Sequence, residues 1–420
     1  MNRKQLFVLV AVGLVLAGLA LYFNKVTRAE YQSRAAEDRE ELLGDFPAND
    51  VTHVVVRSPE GEVNLAKDDV WVVRERHNYP ASFSSVAELV RKLWELKPAQ
   101  SQSIGASQWG RLQLLPPDAP DAGTNAATLV ELKGANGQVL RSLLLGRQQM
   151  RDSGGQFGGY PVGRWVALPD RKDTVYVVSE TFSEVEVKPE NWLNKDFFRL
   201  EKTRAISLVS TNPAESWSLS RATESGDWEL ADARDGEALD RSKASSFNWA
   251  FSSPSFNDVF PPDAEGMDDA FANPTRLTFE TFEGFRYAIE VGTQPDADSY
   301  YLKVQASAEL PRERTAPEDE TPEAREEAEK TWREQQDKLR EKLRKERALA
   351  NWVYKVSKWS VDSVLKDRSG LLTDPTSPDF QDTLVTPDGF PSLEELAAPL
   401  QPPLPGEIDL TPPLAPPDDE

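Results

Sequence analysis

Glu62-Val63-Asn64-Leu65 followed by Val70-Trp71-Val72-Val73 returns later in the chain as Ser216-Trp217-Ser218-Leu219 followed by Asp227-Trp228-Glu229-Leu230. Downstream of the first copy, Thr128-Leu129-Val130-Glu131-Leu132, a Gly turn and Ser142-Leu143-Leu144-Leu145-Gly146 have a counterpart. It is Arg276-Leu277-Thr278-Phe279-Glu280, Gly284 and Tyr287-Ala288-Ile289-Glu290-Val291-Gly292. Tyr160-Pro161-Val162 aligns with Tyr300-Tyr301-Leu302, and Val175-Tyr176-Val177-Val178-Ser179 with Trp352-Val353-Tyr354-Lys355-Val356-Ser357. Matched segments in one order mark an internal repeat. Most alternate apolar with polar residues, the period of half-buried antiparallel strands. Each copy therefore predicts a strand meander, a helix (85–96 in the first, about 242–251 in the second) and a second meander. The expected fold is α+β, built of two related antiparallel-sheet-plus-helix repeats over 46–200 and 201–368.

The copies differ in one place. Between the last two matched strands the first has a short turn at 169–173, whereas the second inserts residues 305–351. Thr321 is an N-cap followed by Pro322 at the first helical position, so the insertion predicts a helix over 322–350, roughly 43 Å long. Glu326–Lys330, Glu329–Arg333, Glu334–Lys338 and Glu341–Lys345 are favourable i,i+4 pairs. Acids gather at its start and bases at its end, which suits the helix dipole. Its apolar stripe is thin: Ala328, Trp332, Leu339 and Leu343. Such a helix either lies along its own domain or serves as an arm that docks a partner through Trp332, Leu339 and Leu343. It is too short and too polar for a sustained coiled coil.

Residues 6–23 (LFVLVAVGLVLAGLALYF) form an uncharged apolar run. As a helix it spans roughly 27 Å, about the thickness of a bilayer's hydrocarbon core. The competing reading is a cleaved signal peptide with Arg3 and Lys4 as its charged start. The lack of a small-x-small cleavage site favours a permanent single-pass anchor whose partner is the bilayer. Lys25, Arg28 and Arg34 follow the run, so flanking charge gives no clean orientation. A signal anchor with a large C-terminal body places residues 1–5 in the cytoplasm and the body in the periplasm, against a bacterial inner membrane. Residues 24–44 are charged and helix-friendly and end at Gly44, which predicts a helical stalk.

The 420 residues include 11 Trp and 18 Phe, enough for real cores, and no Cys. That excludes disulfides, thiolate metal sites and Cys nucleophiles. The net charge of −22 argues against a nucleic-acid partner. Residues 371–420 hold eleven acids and no Lys or Arg, so half of that charge belongs to this tail. From Asp374 onward the tail contains twelve prolines, a composition expected to remain disordered. His53 and His77 lack a spaced second ligand. The Gly154-Gly155 and Gly158-Gly159 stretch lacks the Lys-Ser/Thr of a phosphate loop. No catalytic or metal site and no cofactor is expected, and Trp71, Trp165, Trp228 and Trp249 are expected to pack in cores.

Asp45-Phe46, Val51-Thr52-His53-Val54, Gly61-x-Val63-x-Leu65, Trp71 and Tyr79-Pro80-Ala81 form a pattern after the anchor. Leu144-Leu145-Gly146, Val175-Tyr176-Val177 and Trp192-Leu193-Asn194-Lys195-Asp196 complete it. The pattern resembles the bacterial family catalogued as domain of unknown function 4340, over most of residues 40–310 and the strand near Val353. Members resemble envelope proteins found alongside gliding-motility-type ABC transporter components. The resemblance implies a non-enzymatic, membrane-tethered periplasmic accessory or scaffold subunit of such a transport complex, with an ABC permease as partner. The alternative is an envelope ligand-binding module that recognises a polymer or peptide between the two repeats. The charged insertion and the acidic tail depart from the family's core.

Overall fold

A computed structural model describes residues 41–151, 159–317 and 320–373. They form an α+β protein with two antiparallel sheets. The first contains β1 (His53–Ser58), β2 (Gly61–Lys67), β3 (Trp71–Val73), β4 (Tyr79–Pro80), β5 (Pro98–Ser103), β6 (Thr128–Lys133), β7 (Val139–Arg151), β8 (Tyr160–Ala167) and β9 (Thr174–Val178). Its order is β4-β3-β2-β1-β6-β7-β8-β9-β5. Helix α1 (Phe83–Trp94) links one edge of this sheet to the other.

The second sheet contains β10 (Thr203–Val209), β11 (Trp217–Ser220), β12 (Glu229–Leu230), β13 (Phe256–Phe260), β14 (Thr275–Thr281), β15 (Phe285–Val291), β16 (Ser299–Ala308) and β17 (Val353–Ser357). Its order, β12-β11-β10-β14-β15-β16-β17-β13, repeats the first strand for strand, with no counterpart to β4 among the described residues. Each matched pair read from the sequence falls on equivalent strands. Helix α2 (Arg241–Ala244) stands where α1 does, and α3 (Met267–Ala270) follows β13.

Period-2 patterning explains the sheets. Phe285, Tyr287, Ile289 and Val291 of β15 all point into the core, while Arg286 and Ala288 between them are exposed. In β7, Leu143 and Leu145 join the main core, and Leu144 enters a small cluster with Trp109, Leu114 and Val175 on the opposite face. Helix α1 buries Val86, Leu89, Val90 and Leu93, one stripe at 3.6-residue spacing. Ser82 caps it by accepting a hydrogen bond from the Ser85 amide.

The repeat extends to a closure that the sequence comparison did not contain. In unit one Ala81 bridges Leu193; the Ser82 amide donates to the Trp192 carbonyl at 2.8 Å and the Asn194 amide to that of Pro80 at 2.8 Å. In unit two Leu239 bridges Leu372, the Asp240 amide donates to the Leu371 carbonyl at 2.9 Å, and the Thr373 amide to that of Ala238 at 2.9 Å. Unit two therefore runs to Thr373, and a tail beginning at 371 is corrected: Leu371 is fully buried. Composition misled there because acidity and proline rise only after the closing residues.

Other expectations shift as well. Residues 42–44 do not end a free stalk. Leu42 and Leu43 are buried in unit one, and the Leu42 amide donates to the Leu96 carbonyl at 2.7 Å. Gln305 does not open the insertion, because β16 pairs with β15 as far as Ala308. The charged helix α4 covers Pro322–Arg347, with Thr321 accepting from the Ala324 amide as its N-cap. Its last residues tighten into a 3-10 turn at Ala348–Asn351. The anchor at 6–23 and the acidic tail beyond 373 lie outside the described residues. Among the described residues no helix is long and apolar enough to cross a membrane.

Candidate binding site between the two units

The two family signatures meet at the junction of the units. After β3 a 3-10 turn (Arg74–Arg76) leads into His77 and Asn78, both in the left-handed region at φ 54° and 63°. That reversal returns the chain as β4 and places Tyr79 and Pro80 at the sheet edge, where Val73 pairs with Tyr79. Through the closure, Trp192 to Asp196 lie alongside. Trp192 is buried and its indole N–H donates to the Glu186 carbonyl at 3.0 Å. The Asn194 side-chain oxygen accepts from the Asp196 amide at 2.9 Å, a local turn that holds both side chains at the junction.

The next residues bind unit one to unit two. The Lys195 ammonium donates to the carbonyls of Phe256 and Asn257 at 3.2 and 3.1 Å and sits 4.7 Å from the Phe256 ring centre. Burial holds its pKa below the ordinary lysine value. Arg76 grips both carboxylate oxygens of Asp258 at 2.6 and 3.0 Å and reaches Glu190 at 3.1 Å. Such forked pairs fix orientation as well as distance.

Between the units lies a cleft of about 660 Å³. Tyr79, Phe197, Trp352 and Tyr354 supply its aromatic walls, and Lys338, Glu341, Lys342, Lys345 and Glu346 of α4 form the remaining side. Tyr79 meets Trp352 edge-on at 5.0 Å, and Phe197 lies 4.7 Å from Tyr354. Tyr354 is fully buried, and the Tyr79 hydroxyl is the polar partner of its own hydroxyl. Burial pushes the Tyr79 hydroxyl up to about 12 and is the main cause of the rise at Tyr354 too. Both remain protonated donors at neutral pH.

Helix α4 is pinned over this cleft by its C-terminal half. Glu346 accepts from the Tyr287 hydroxyl at 2.7 Å and from the Arg199 amide at 3.3 Å; Lys342 donates to the Arg199 carbonyl at 3.0 Å. Burial raises the Glu346 carboxyl above the ordinary carboxylate value. Of the residues expected to dock a partner, Leu343 is buried in the protein's own core. Leu339 packs half-buried against the same core, and Trp332 is half-buried farther up the helix. The thin stripe is thus used mainly for seating the helix. What the sequence missed is the face of α4 carrying Lys338, Lys342 and Lys345, at helical spacing of four and three residues.

The two histidines play no part in the cleft. His53 lies in β1, bonded to the Asn64 side chain at 3.1 Å, and His77 occupies the turn before β4. The Gly-rich stretch at 154–158 lies outside the described residues. Trp71 and Trp228 are buried and Trp165 packs on the smaller cluster, as expected, but Trp249 is 77 % exposed. The cause is local. Instead of an α-helix over 242–251, α2 tightens into a 3-10 turn at Ser245–Trp249. At three residues per turn, Ala244, Phe247 and Ala250 face inward and Trp249 falls outside.

The arrangement defines a tandem of two α+β units with an aromatic-walled cleft at their junction. Residues 71–270 match the family model described as Domain of unknown function (DUF4340), and this stretch belongs to that family. The matched region runs from β3 through the junction and into unit two, so it contains both signatures that build the cleft wall. Neither a search of the curated proteins nor one of the solved structures gives a match.

Proposed function

We propose that this chain is a membrane-tethered periplasmic binding subunit that holds an extended segment of an envelope peptide or polymer in the cleft between its two units. The observation that carries this reading is the cleft of about 660 Å³ at the junction, with Tyr79, Phe197, Trp352 and Tyr354 on its walls and charged residues of α4 along its remaining side. The aromatic walls favour an apolar or ring-bearing ligand side group, and the α4 lysines and glutamates meet polar groups at the mouth. The family resemblance adds the setting: an accessory subunit beside an ABC-type transporter, with the charged insertion supplying a wall particular to this chain.

A photoreactive benzoyl-phenylalanine at Trp352, introduced in the native host, tests the reading. The expected result is one discrete cross-linked species, formed in lower yield when Phe197→Ala thins the aromatic wall. A permease subunit as that species supports the accessory role. No adduct at 352, or the same adduct from the exposed Trp359, sinks the cleft as the binding site.

A further inference from the structure

Each unit carries a groove at the same place, between the hairpin that ends in a buried Trp (Trp71 or Trp228) and the exposed Trp that ends the packed helix (Trp94 or Trp249). The unit-one groove is lined mainly by Val51, Phe83, Val86 and Val90, together with Lys67 and Arg91, and no carboxylate borders it. The unit-two groove, about 420 Å³, is lined instead by Arg221, Glu224, Asp227, Arg241 and Asn248 around Trp249.

We infer that the unit-two groove is a saccharide-binding site with Trp249 as its platform. A sugar ring has an apolar face of C–H groups and a rim of hydroxyls, and the groove offers a surface for each. Trp249 is 77 % exposed, and among the described residues no ring or cation stacks on it. The face of neighbouring Trp228 is already taken, by the Arg221 guanidinium at 4.7 Å. The Asn248 side-chain oxygen accepts from the Trp228 indole N–H at 3.0 Å and from Arg221 at 3.2 Å, which fixes the amide and leaves its N–H₂ to donate. Asp227 and Arg241 stand 3.7 Å apart with both side chains largely in solvent, so each keeps free hydrogen-bonding capacity. Planar carboxylate, amide and guanidinium groups match vicinal hydroxyls two at a time. A lipid or an apolar protein face would instead leave Glu224 and Asp227 buried without adequate partners.

The test uses the full chain in a detergent without a sugar head group, with β-1,4-linked N-acetylglucosamine tetramer and maltotetraose as probes. Saturation-transfer NMR is expected to show transfer to the ring C–H protons of at least one probe. Trp249→Ala should weaken binding at least tenfold and Trp249→Phe by less, with unchanged melting. Asp227→Ala, which keeps every ring, should weaken binding as well. Trp359→Ala, at a site 89 % exposed and outside the lining of this groove, should leave binding intact. Transfer to neither probe, or binding undiminished in Trp249→Ala, overturns the assignment. Binding undiminished in Asp227→Ala overturns the hydroxyl half of it, because stacking alone would then hold the probe.

Discussion

Two units with one strand order have been given different edges. Unit one closes through Trp192, a buried indole that donates to a carbonyl, and its closing segment continues directly into the junction with unit two. Unit two closes through Arg368, a buried guanidinium that donates to Asp232 at 2.8 Å, to Glu237 at 2.5 Å and to the carbonyls of Ser216 and Asp232. The two closing segments are thus held differently, one by a buried indole and the other by a buried guanidinium three residues before Leu371, the position equivalent to Trp192. The helices differ in the same way. A full α-helix in unit one presents Phe83 and Trp94 over an apolar groove, and a helix tightened to 3-10 in unit two presents Trp249 over a polar one. A repeated backbone leaves groove chemistry free to diverge, because core positions set the fold while helix ends and hairpins face solvent.

Arg368→Ala should separate the two units most. Removing a guanidinium that bonds two partly exposed carboxylates should cost about 1.5–3 kcal/mol. Amide exchange should rise across 216–240 and remain unchanged across β1. Equal loss of protection in both units would show that they unfold as one body and that the clasp is not local. The same cluster makes an acid prediction. Arg368 holds the Glu237 carboxyl down at about 2, so its stabilisation is fully present above the ordinary carboxylate value and is lost as pH falls through about 2. Acid melts should lose this component in the native chain and lack it in Arg368→Ala.

A second test asks whether the units share constraints as well as order. A Cβ added at Gly146 would lie 2.5 Å from the Leu112 carbonyl oxygen, and one at the equivalent Gly292 would lie 2.7 Å from that of Ala270. In each unit the segment that follows β5 or β13 presses its backbone onto the sheet at the same glycine. Gly146→Ala and Gly292→Ala should each destabilise by about 1–3 kcal/mol, read from denaturant midpoints. A cost at one site and none at the other would limit the repeat to strand order.

The smallest effect is expected at Glu346, which has no counterpart in unit one. Its carboxyl is raised by burial, so its contribution is fully present below the unfolded-state value and is lost as pH rises through the folded one. Between acid and neutral pH the native chain should lose a little of the seating of α4 that Glu346→Gln keeps. Thermal melts whose difference stays flat with pH would rule out a carboxyl that titrates in place.

Much of this architecture was legible because burial leaves a period. Alternation in β6, β7, β14 and β15 and the pairing of Trp71 with Trp228 revealed strands, order and repeat. The insertion's helix was legible from Thr321, Pro322 and the acid-to-base gradient. Glu329–Arg333 at 3.1 Å and Glu341–Lys345 at 3.8 Å are among its formed pairs. The candidate site was legible only as fragments. Tyr79-Pro80 and Trp192 to Asp196 stood out as signatures, yet nothing local shows that they share a bridge. The Trp249 position was misread because α and 3-10 helices have similar sequences, and only packing chose the period that turned it outward.

Local patterning was enough to dictate two half-buried antiparallel sheets, the helix across the first, and a charged helix between β16 and β17. In each case a face that must avoid water imposes its spacing on neighbouring residues. Long-range packing was needed to close the two signatures on each other, to lay α4 over the junction, and to bury Tyr354 beside Tyr79 there. Those outcomes depend on contacts between residues far apart in the chain, such as Arg76 with Asp258 and Tyr287 with Glu346. Such contacts leave no periodic mark, because each partner's residue type is compatible with many other positions.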